Sequence, residues 1–218
     1  MTYAQHYVNK IIPFPFGNPN FKNIEYFNGK YVIPVVYPSD SSTLIVTDLN
    51  TETYYHYVDF VFSLLAMTIV DNEMYLYAKD RNFSNDLQFA RLNNDFTYNW
   101  KKEIHTAGDF NFPLSSISLG RNVFATYIFE TGNIRKFGIF NIKPDGTIKW
   151  NKVYDNNLKY ATLWDLDSRN GNYILGSYNV TYTNDFNSSV RVIKIDTSGQ
   201  GIWKSDTVRG VNDNDDPV

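Results

Sequence analysis

The octapeptide KPDGTIKW, residues 143–150, contains the pattern on which the chain is built. Its turn residues, Pro144-Asp145-Gly146, end one apolar run and begin another that carries a Trp. The same pattern returns as DTSGQGIW at 196–203 and, more loosely, as LNNDFTYNW at 92–100 and DLNTETYY at 48–55. A turn and a strand that recur at near-constant spacing indicate a repeat architecture. The pattern therefore predicts a fold and specifies no chemistry.

The aromatic residue that closes each repeat gives the period. These residues are Tyr54, Trp100, Trp150 and Trp203, and their sequence numbers differ by 46, 50 and 53. These intervals are typical of propeller blades, each a small four-stranded sheet. Within every repeat, alternation places four strands joined by a short turn, a variable loop and a short turn. We predict one all-β, β-propeller-like domain over residues 1–218, with four repeats of about four antiparallel strands each, at approximately 21–60, 61–104, 113–155 and 160–208.

The two ends of the sequence do not fit a closed ring of four blades. Residues 1–12 are an extra N-terminal strand that resembles a fourth strand without its three predecessors, and residues 209–218 form a flexible tail. An N-terminal fourth strand often completes the final blade of a ring, but the fourth repeat already has its own. Two alternatives stay open: the extra strand packs differently, or the ring is incomplete and is shared or continued elsewhere.

Particular residues at the turns and in one strand carry local structural meaning. Asn28-Gly29, Asp145-Gly146 and Asn170-Gly171 supply the positive φ angles that tight hairpins require. Pro34 lies inside the apolar run YVIPVVY and has no N–H to donate to a neighbouring strand. It therefore predicts a bulge or an edge at that point.

Three of the repeats close with the same run of residue types: DGTIKWNK at 145–152, SGQGIWKS at 198–205 and DFTYNWKK at 95–102. These runs resemble the blade-closing segments of quinoprotein-like (PQQ-like or WD40-like) β-propeller repeats, over roughly residues 21–208. The resemblance implies the fold only, because such repeats recur in proteins of unrelated function. Quinone-dependent dehydrogenases of that kind have more blades and, in several cases, a vicinal cysteine pair over the cofactor. This chain has four repeats and no cysteine, so we predict no cofactor.

Composition argues against several classes of site and partner. The net charge of −3 comes from interspersed charges without a basic run, which argues against nucleic acid as a partner. The absence of cysteine excludes thiolate metal sites, and the three histidines are far apart in sequence. The acidic tail NDNDD at 212–216 offers oxygen ligands of the kind Ca²⁺ takes, but a solvated terminus fits it better. With no signal peptide and no membrane span, we expect a soluble, cytoplasmic or virion-associated chain.

Four acidic residues are candidates for acid–base catalysis, which needs two carboxylates in different environments. They are Asp109, Glu130, Asp165 and Asp167. The sharpest pair is Asp165 and Asp167, because strand alternation puts both on one face. Hydrogen bonding to turns and neighbouring blades is nevertheless the favoured interpretation. No GxGxxG, GxxxxGK or GxSxG motif occurs, so dinucleotide, P-loop and hydrolase-elbow sites have no support.

The loops between second and third strands place aromatic residues among Asn, Asp and Ser, as in KDRNFSND at 79–86 and TYTNDFNSS at 181–189. In a propeller these loops emerge on the same face as the connectors between blades, such as HTAGDFNFP at 105–113. Ring faces beside polar groups suit glycan or protein recognition. The alternative is that the rings pack their loops onto the core. The predicted ligand- or partner-binding residues are Phe83, Asp109, Phe110, Phe112, Tyr182 and Phe186.

These observations predict a non-enzymatic binding or assembly module that uses the loop faces of a β-propeller, with a protein or glycan as its partner. The Asn, Tyr, Phe and Lys bias suggests a component of a phage or virion tail. Two alternatives stay open. One is a glycan-processing enzyme with its site in the central depression, and the other is a fragment or subunit of a larger propeller, which would make the chain part of an oligomer.

Overall fold

The computed structural model describes most of the four repeats, and every regular element in the described residues is a β-strand. None of the described residues forms a helix that could cross a membrane. The residues described are 20–21, 24–36, 42–47, 53–57, 64–79, 86–105, 110–132, 134–154, 160–168, 173–181, 188–205 and 208–209.

The first two repeats each fold into one antiparallel sheet, which we call a blade. In both blades each strand pairs with the next one along the chain, except that the two short strands that begin blade 1 both pair with its third strand. Blade 1 contains β1 (Asn20–Phe21), β2 (Glu25–Phe27), β3 (Lys30–Val36), β4 (Ser42–Thr47) and β5 (Thr53–Tyr57). Blade 2 contains β6 (Leu64–Val70), β7 (Glu73–Lys79), β8 (Leu87–Leu92) and β9 (Tyr98–Ile104).

The third and fourth repeats form blades of the same kind. Blade 3 contains β10 (Phe110–Leu119), β11 (Asn122–Thr131), β12 (Ile134–Ile142) and β13 (Ile148–Tyr154). Blade 4 contains β14 (Tyr160–Ser168), β15 (Tyr173–Thr181), β16 (Ser188–Asp196) and β17 (Gly201–Lys204), with β18 (Val208–Arg209) pairing along β16. A single parallel pairing of Arg135 with Tyr160 joins the two blades into one nine-stranded sheet. The prediction of an all-β, propeller-like fold is confirmed.

The first strands of blades 2, 3 and 4 lie next to one another. The hydroxyl of Thr68 in β6 donates to the backbone carbonyl of Ser116 in β10 at 2.9 Å. This arrangement is that of the innermost strands of a propeller, which surround its central depression.

Apolar clusters fill the spaces between consecutive blades, and they come mainly from the second and third strands. Alternate residues of β7 point to opposite neighbours: Met74 and Leu76 pack toward blade 1, whereas Tyr75 and Tyr77 pack toward blade 3. Because both faces of such a strand are covered, its sequence is almost continuously apolar. Phe137 and Ile193 occupy the equivalent space between blades 3 and 4.

The turn between third and fourth strands has the same geometry in blades 2, 3 and 4. In blade 3 the N–H of Gly146 donates to the carbonyl of Lys143 at 2.8 Å, and the N–H of Lys143 donates to the carbonyl of Thr147 at 2.9 Å. The left-handed position of this turn is held by Gly146, with φ of 78°, and by Gly199 in blade 4, with φ of 79°. In blade 2 it is held by Phe96, with φ of 66°. A three-residue hairpin loop with one left-handed residue and a bulge matches this pattern.

Each glycine of these turns lies against the Trp of the preceding blade. A Cβ added to Gly146 would be 2.9 Å from both Trp100 and Lys102 of blade 2. A Cβ added to Gly199 would be 2.9 Å from Lys152 of blade 3 and 3.1 Å from its Trp150. Hydrogen bonds join the same two segments.

Those bonds run from the fourth strand of one blade to backbone carbonyls in the turn of the next. The Lys102 ammonium donates to the carbonyl of Asp145 at 2.6 Å, and the Trp150 indole N–H donates to the carbonyl of Thr197 at 3.0 Å. The Tyr154 hydroxyl donates to the carbonyl of Gly199 at 3.0 Å. The turn and the Trp-x-Lys segment therefore form one inter-blade contact.

The turn itself is stabilised by an aspartate. In blade 3 the backbone N–H of Thr147 donates to the Asp145 carboxylate at 2.8 Å. This bond, a bond from the Thr147 side chain and the nearby Lys102 and Lys143 charges lower the pKa of Asp145. In blade 4 the Ser198 hydroxyl and the Gln200 N–H similarly lower the pKa of Asp196.

Two local expectations change in detail. Pro34 pairs with Leu44 of β4 in unbroken register, so no bulge lies on that side of β3. On the other side of β3, β2 pairs with Lys30–Val32 and β1 pairs with Val35 and Val36. Pro34 thus falls where the first strand is interrupted and no N–H is needed.

The first strand of blade 3 begins at Phe110, three residues before the predicted start of the third repeat at residue 113. Residues 1–12, 210–218 and Asn170-Gly171 lie outside the described residues. The proposed domain limits remain predictions.

We predict that Gly146→Ala destabilises the fold more than Gly29→Ala. Both glycines have φ near 80°, but an added Cβ at Gly29 meets no atom within 4 Å. Gly29→Ala should therefore cost only the left-handed strain, about 1 kcal/mol, and Gly146→Ala about 1–3 kcal/mol more from overpacking. Urea denaturation measures both. Equal losses would contradict the inter-blade contact.

Candidate functional site

The predicted binding residues fall mostly outside the part of the chain that the structure describes. Phe83, Asp109, Tyr182 and Phe186 are among the residues not described. The backbones of Phe110 and Phe112 form the start of β10, paired with Glu130 and Ile128 of β11, while their side chains are not described. The assignment of these six residues to a binding face stays a prediction.

Within the described residues, the structure brings together three side chains from blade 2. Asp86 immediately precedes β8, and Glu103 and His105 lie at the end of β9. His105 Nδ1 is 2.9 Å from an Asp86 carboxylate oxygen. One ligand atom from each of the three residues lies within 4.8 Å of the others. We call this group the Asp86 cluster.

The register between β8 and β9 explains why these residues meet. Leu87 pairs with Ile104 and Gln88 pairs with Glu103, so Asp86 comes to lie opposite His105. Residues two apart on a strand share a face. Asp86, Gln88, Glu103 and His105 therefore occupy one face of the sheet, the face on which Ala90 and Leu92 pack toward blade 1.

The environments of these residues differ in solvent exposure. The Asp86 side chain is 18% exposed and that of His105 is 77% exposed. Gln88 is 4% exposed, and its amide oxygen has no hydrogen-bond partner. A buried acceptor without a partner costs free energy and calls for an explanation, such as a bound ion or water.

The carboxylates favour the protonated form of His105. The hydrogen bond to Asp86 is the largest cause, the Asp86 charge adds to it and Glu103 contributes further, so the pKa of His105 is raised above its usual value. Loss of the proton shared between Nδ1 and Asp86 would leave this nitrogen able to bind a metal ion in the proton's place. The cluster can therefore exchange a proton or bind a cation.

The candidate catalytic acids lie elsewhere in the fold. Glu130 forms an ion pair with Arg135 across β11 and β12. Asp165 and Asp167 both lie on β14, the first strand of blade 4. Between them, Leu166 is buried and packs toward blade 3, whereas Asp167 is exposed. The side chain of Asp165 is outside what the structure describes.

A concavity lies among the short turns, at the end of the blades opposite the Asp86 cluster. Its volume is about 360 Å³ and it is lined by Arg121, Lys143, Lys149 and the turn residues Pro144 and Asp145. Arg121 is held by Asp71 at 2.9 Å. This basic grouping was not predicted from the sequence because its members come from separate turns.

Sequence reasoning also missed the Asp86 cluster. It considered each histidine alone and looked for partners at short spacing, but the cluster forms across a hairpin. The usable signal was the pairing of β8 with β9, which places residue 86 opposite residue 105.

No family model matches this chain, and neither does any curated protein sequence. Solved structures do match. A puromycin hydrolase S511A mutant complexed with PGG aligns with a TM-score of 0.61 and 10% identity, over 90% of this chain and 33% of that one. A quinoprotein alcohol dehydrogenase-like protein from Bacteroides thetaiotaomicron VPI-5482 aligns with a TM-score of 0.56 and 12% identity, over 83% of this chain and 44% of that one.

An α-L-arabinofuranosidase, CtGH43, from Clostridium thermocellum ATCC 27405 aligns with a TM-score of 0.50 and 12% identity, over 87% of this chain and 72% of that one. At such identities the likeness establishes the fold alone. It confirms the fold-level resemblance to quinoprotein-like propellers. The chain spans about a third of the length of the puromycin hydrolase.

These comparisons contradict the prediction of a non-enzymatic role, which is wrong. The solved structures that share the fold include enzymes, namely the puromycin hydrolase and the α-L-arabinofuranosidase. The error came from treating the absence of a catalytic motif in the sequence as the absence of catalysis. Nothing in the comparisons supports a phage or virion role.

We predict that Asp86→Asn returns the pKa of His105 toward the ordinary histidine value. Because the pKa is raised in the folded chain, the contact stabilises the fold below the unfolded pKa and is lost as pH rises through the folded pKa. Long-range ¹H–¹⁵N NMR titration in EDTA follows the ring directly. Asp71→Asn, whose carboxylate binds Arg121, is the matched control. A His105 titration unchanged by Asp86→Asn would refute the contact.

Proposed function

We propose that this chain is the β-propeller of a carbohydrate-processing hydrolase with its acid–base residues in the central depression. The observation that carries the proposal is Asp167, an exposed carboxylate on the first strand of blade 4. First strands surround the depression of a propeller, where ligands enter. An exposed carboxylate on a first strand supports a ligand site at that depression.

A second carboxylate is available on the same strand. Asp165 pairs with Ser177 and Asp167 with Leu175, in regular register on either side of Leu166. Positions two apart on a strand share a face and are separated by about 6.6 Å along it. Glycoside hydrolysis uses two carboxylates, one as general acid and one as base or nucleophile. In this proposal Asp165 and Asp167 take these two roles.

A carbohydrate substrate is supported by two further features. One is the fold that the chain shares with an α-L-arabinofuranosidase. The other is the set of aromatic residues beside amides and carboxylates in loops 79–86 and 181–189, which suits the stacking of sugar rings. The assignment of a glycan as the substrate depends on these two features.

We predict that Asp167→Asn removes turnover of a glycan substrate. Positioned acid–base groups contribute about 10²–10⁴-fold to rate, so kcat should fall by that factor. A panel of arabinan, xylan and aryl α-L-arabinofuranosides, assayed by reducing-sugar or aryl release, measures it. Asp71→Asn removes an exposed acid remote from β14 and should retain full activity.

Two results would contradict the proposal. The first is the absence of turnover on every substrate of the panel by the folded wild-type chain. The second is a kcat for Asp167→Asn equal to that of the wild type, which would exclude this strand as the catalytic one. Circular dichroism and melting temperature confirm that the variant is folded.

A further inference from the structure

We propose that Asp86, Gln88, Glu103 and His105 form a binding site for a divalent first-row transition-metal ion. The site lies on blade 2, at the start of β8 and the end of β9, whereas the proposed catalytic residues lie on blade 4. It is independent of the proposed function.

The ligand atoms already lie close to the spacing of a coordination sphere. Metal bonds of about 2.1 Å at tetrahedral angles place ligand atoms about 3.4 Å apart. The Asp86 oxygen and His105 Nδ1 are 2.9 Å apart, and the three ligand atoms of the cluster lie within 4.8 Å of one another. Small side-chain rotations therefore suffice to place these atoms around one ion, since Glu103 and His105 are exposed.

Gln88 provides an independent indication of a ligand. Its side chain is buried, and its amide oxygen makes no hydrogen bond. The ladder places it directly opposite Glu103 and two residues from Asp86 on the same face. A bound cation would accept this oxygen as a ligand and remove the cost of leaving it unpaired. The exposed carboxylates alone would not indicate a metal site.

The donor set selects the class of ion. Imidazole nitrogen suits Zn²⁺ and its neighbours, carboxylate and amide oxygens suit Mn²⁺, and both ions accept a mixed set. Ca²⁺ and Mg²⁺ take oxygen ligands and gain little from His105. Two carboxylates also balance the charge of a divalent ion. Lys101, on the same face of β9, lies over the Tyr98 ring at 5.8 Å.

Calorimetric titration of the EDTA-treated full chain with Zn²⁺, Mn²⁺ and Ca²⁺ tests the proposal. We expect one Zn²⁺ or Mn²⁺ per chain, with affinity about tenfold or more weaker in Asp86→Asn, Glu103→Gln and His105→Ala. Asp71→Asn is the control and should bind as the wild type does. The melting temperature should rise with the ion in the wild type and not in His105→Ala.

Gln88→Leu separates a ligand role from a structural one. It replaces a buried side chain whose amide oxygen has no hydrogen-bond partner by an apolar one of similar size, so the metal-free chain should keep a melting temperature close to that of the wild type. Its metal affinity should nevertheless fall several-fold. The proposal is overturned if no ion binds at one per chain, if His105→Ala or Gln88→Leu binds as tightly as the wild type, or if Ca²⁺ binds more tightly than Zn²⁺ and Mn²⁺.

Discussion

A glycine in the left-handed region, in contact with the Trp of the preceding blade, is the constraint on which the packing of blades 2 to 4 depends. At Gly146 the space for a Cβ is taken by Trp100 and Lys102, and at Gly199 by Trp150 and Lys152. Each copy of the motif therefore supplies the turn for one interface and the Trp for the next. Turn and strand recur together because neither packs without its counterpart one blade away.

This contact differs in blade 2 and in blade 4. In blade 2 the left-handed position is Phe96, whose buried ring packs edge-on against Phe27 of blade 1 at 6.1 Å. Here a side chain fills the inter-blade space that elsewhere requires glycine. In blade 4, Trp203 is 52% exposed. The same residue type is thus packed or exposed according to its neighbour.

The fold was predictable because turn and Trp repeat, and repetition needs no knowledge of tertiary contacts. Single residues also behaved as their chemistry requires: Gly146 takes positive φ, and Pro34 lies where no N–H is needed. Phe96 could not be foreseen, since a buried ring there outweighs the strain of the backbone. The Asp86 cluster depends on strand register, which the sequence does not specify to one residue, and the absence of a motif misled the prediction about catalysis.

A double-mutant cycle on Trp100 and Gly146 tests the inter-blade contact most directly. Trp100→Leu removes the ring that an Ala side chain at position 146 would meet, so Gly146→Ala should cost less in that background. We predict that the free energies of unfolding depart from additivity by about 1 kcal/mol or more. Additivity within about 0.5 kcal/mol would contradict the account, because it would mean that turn and Trp are stabilised separately.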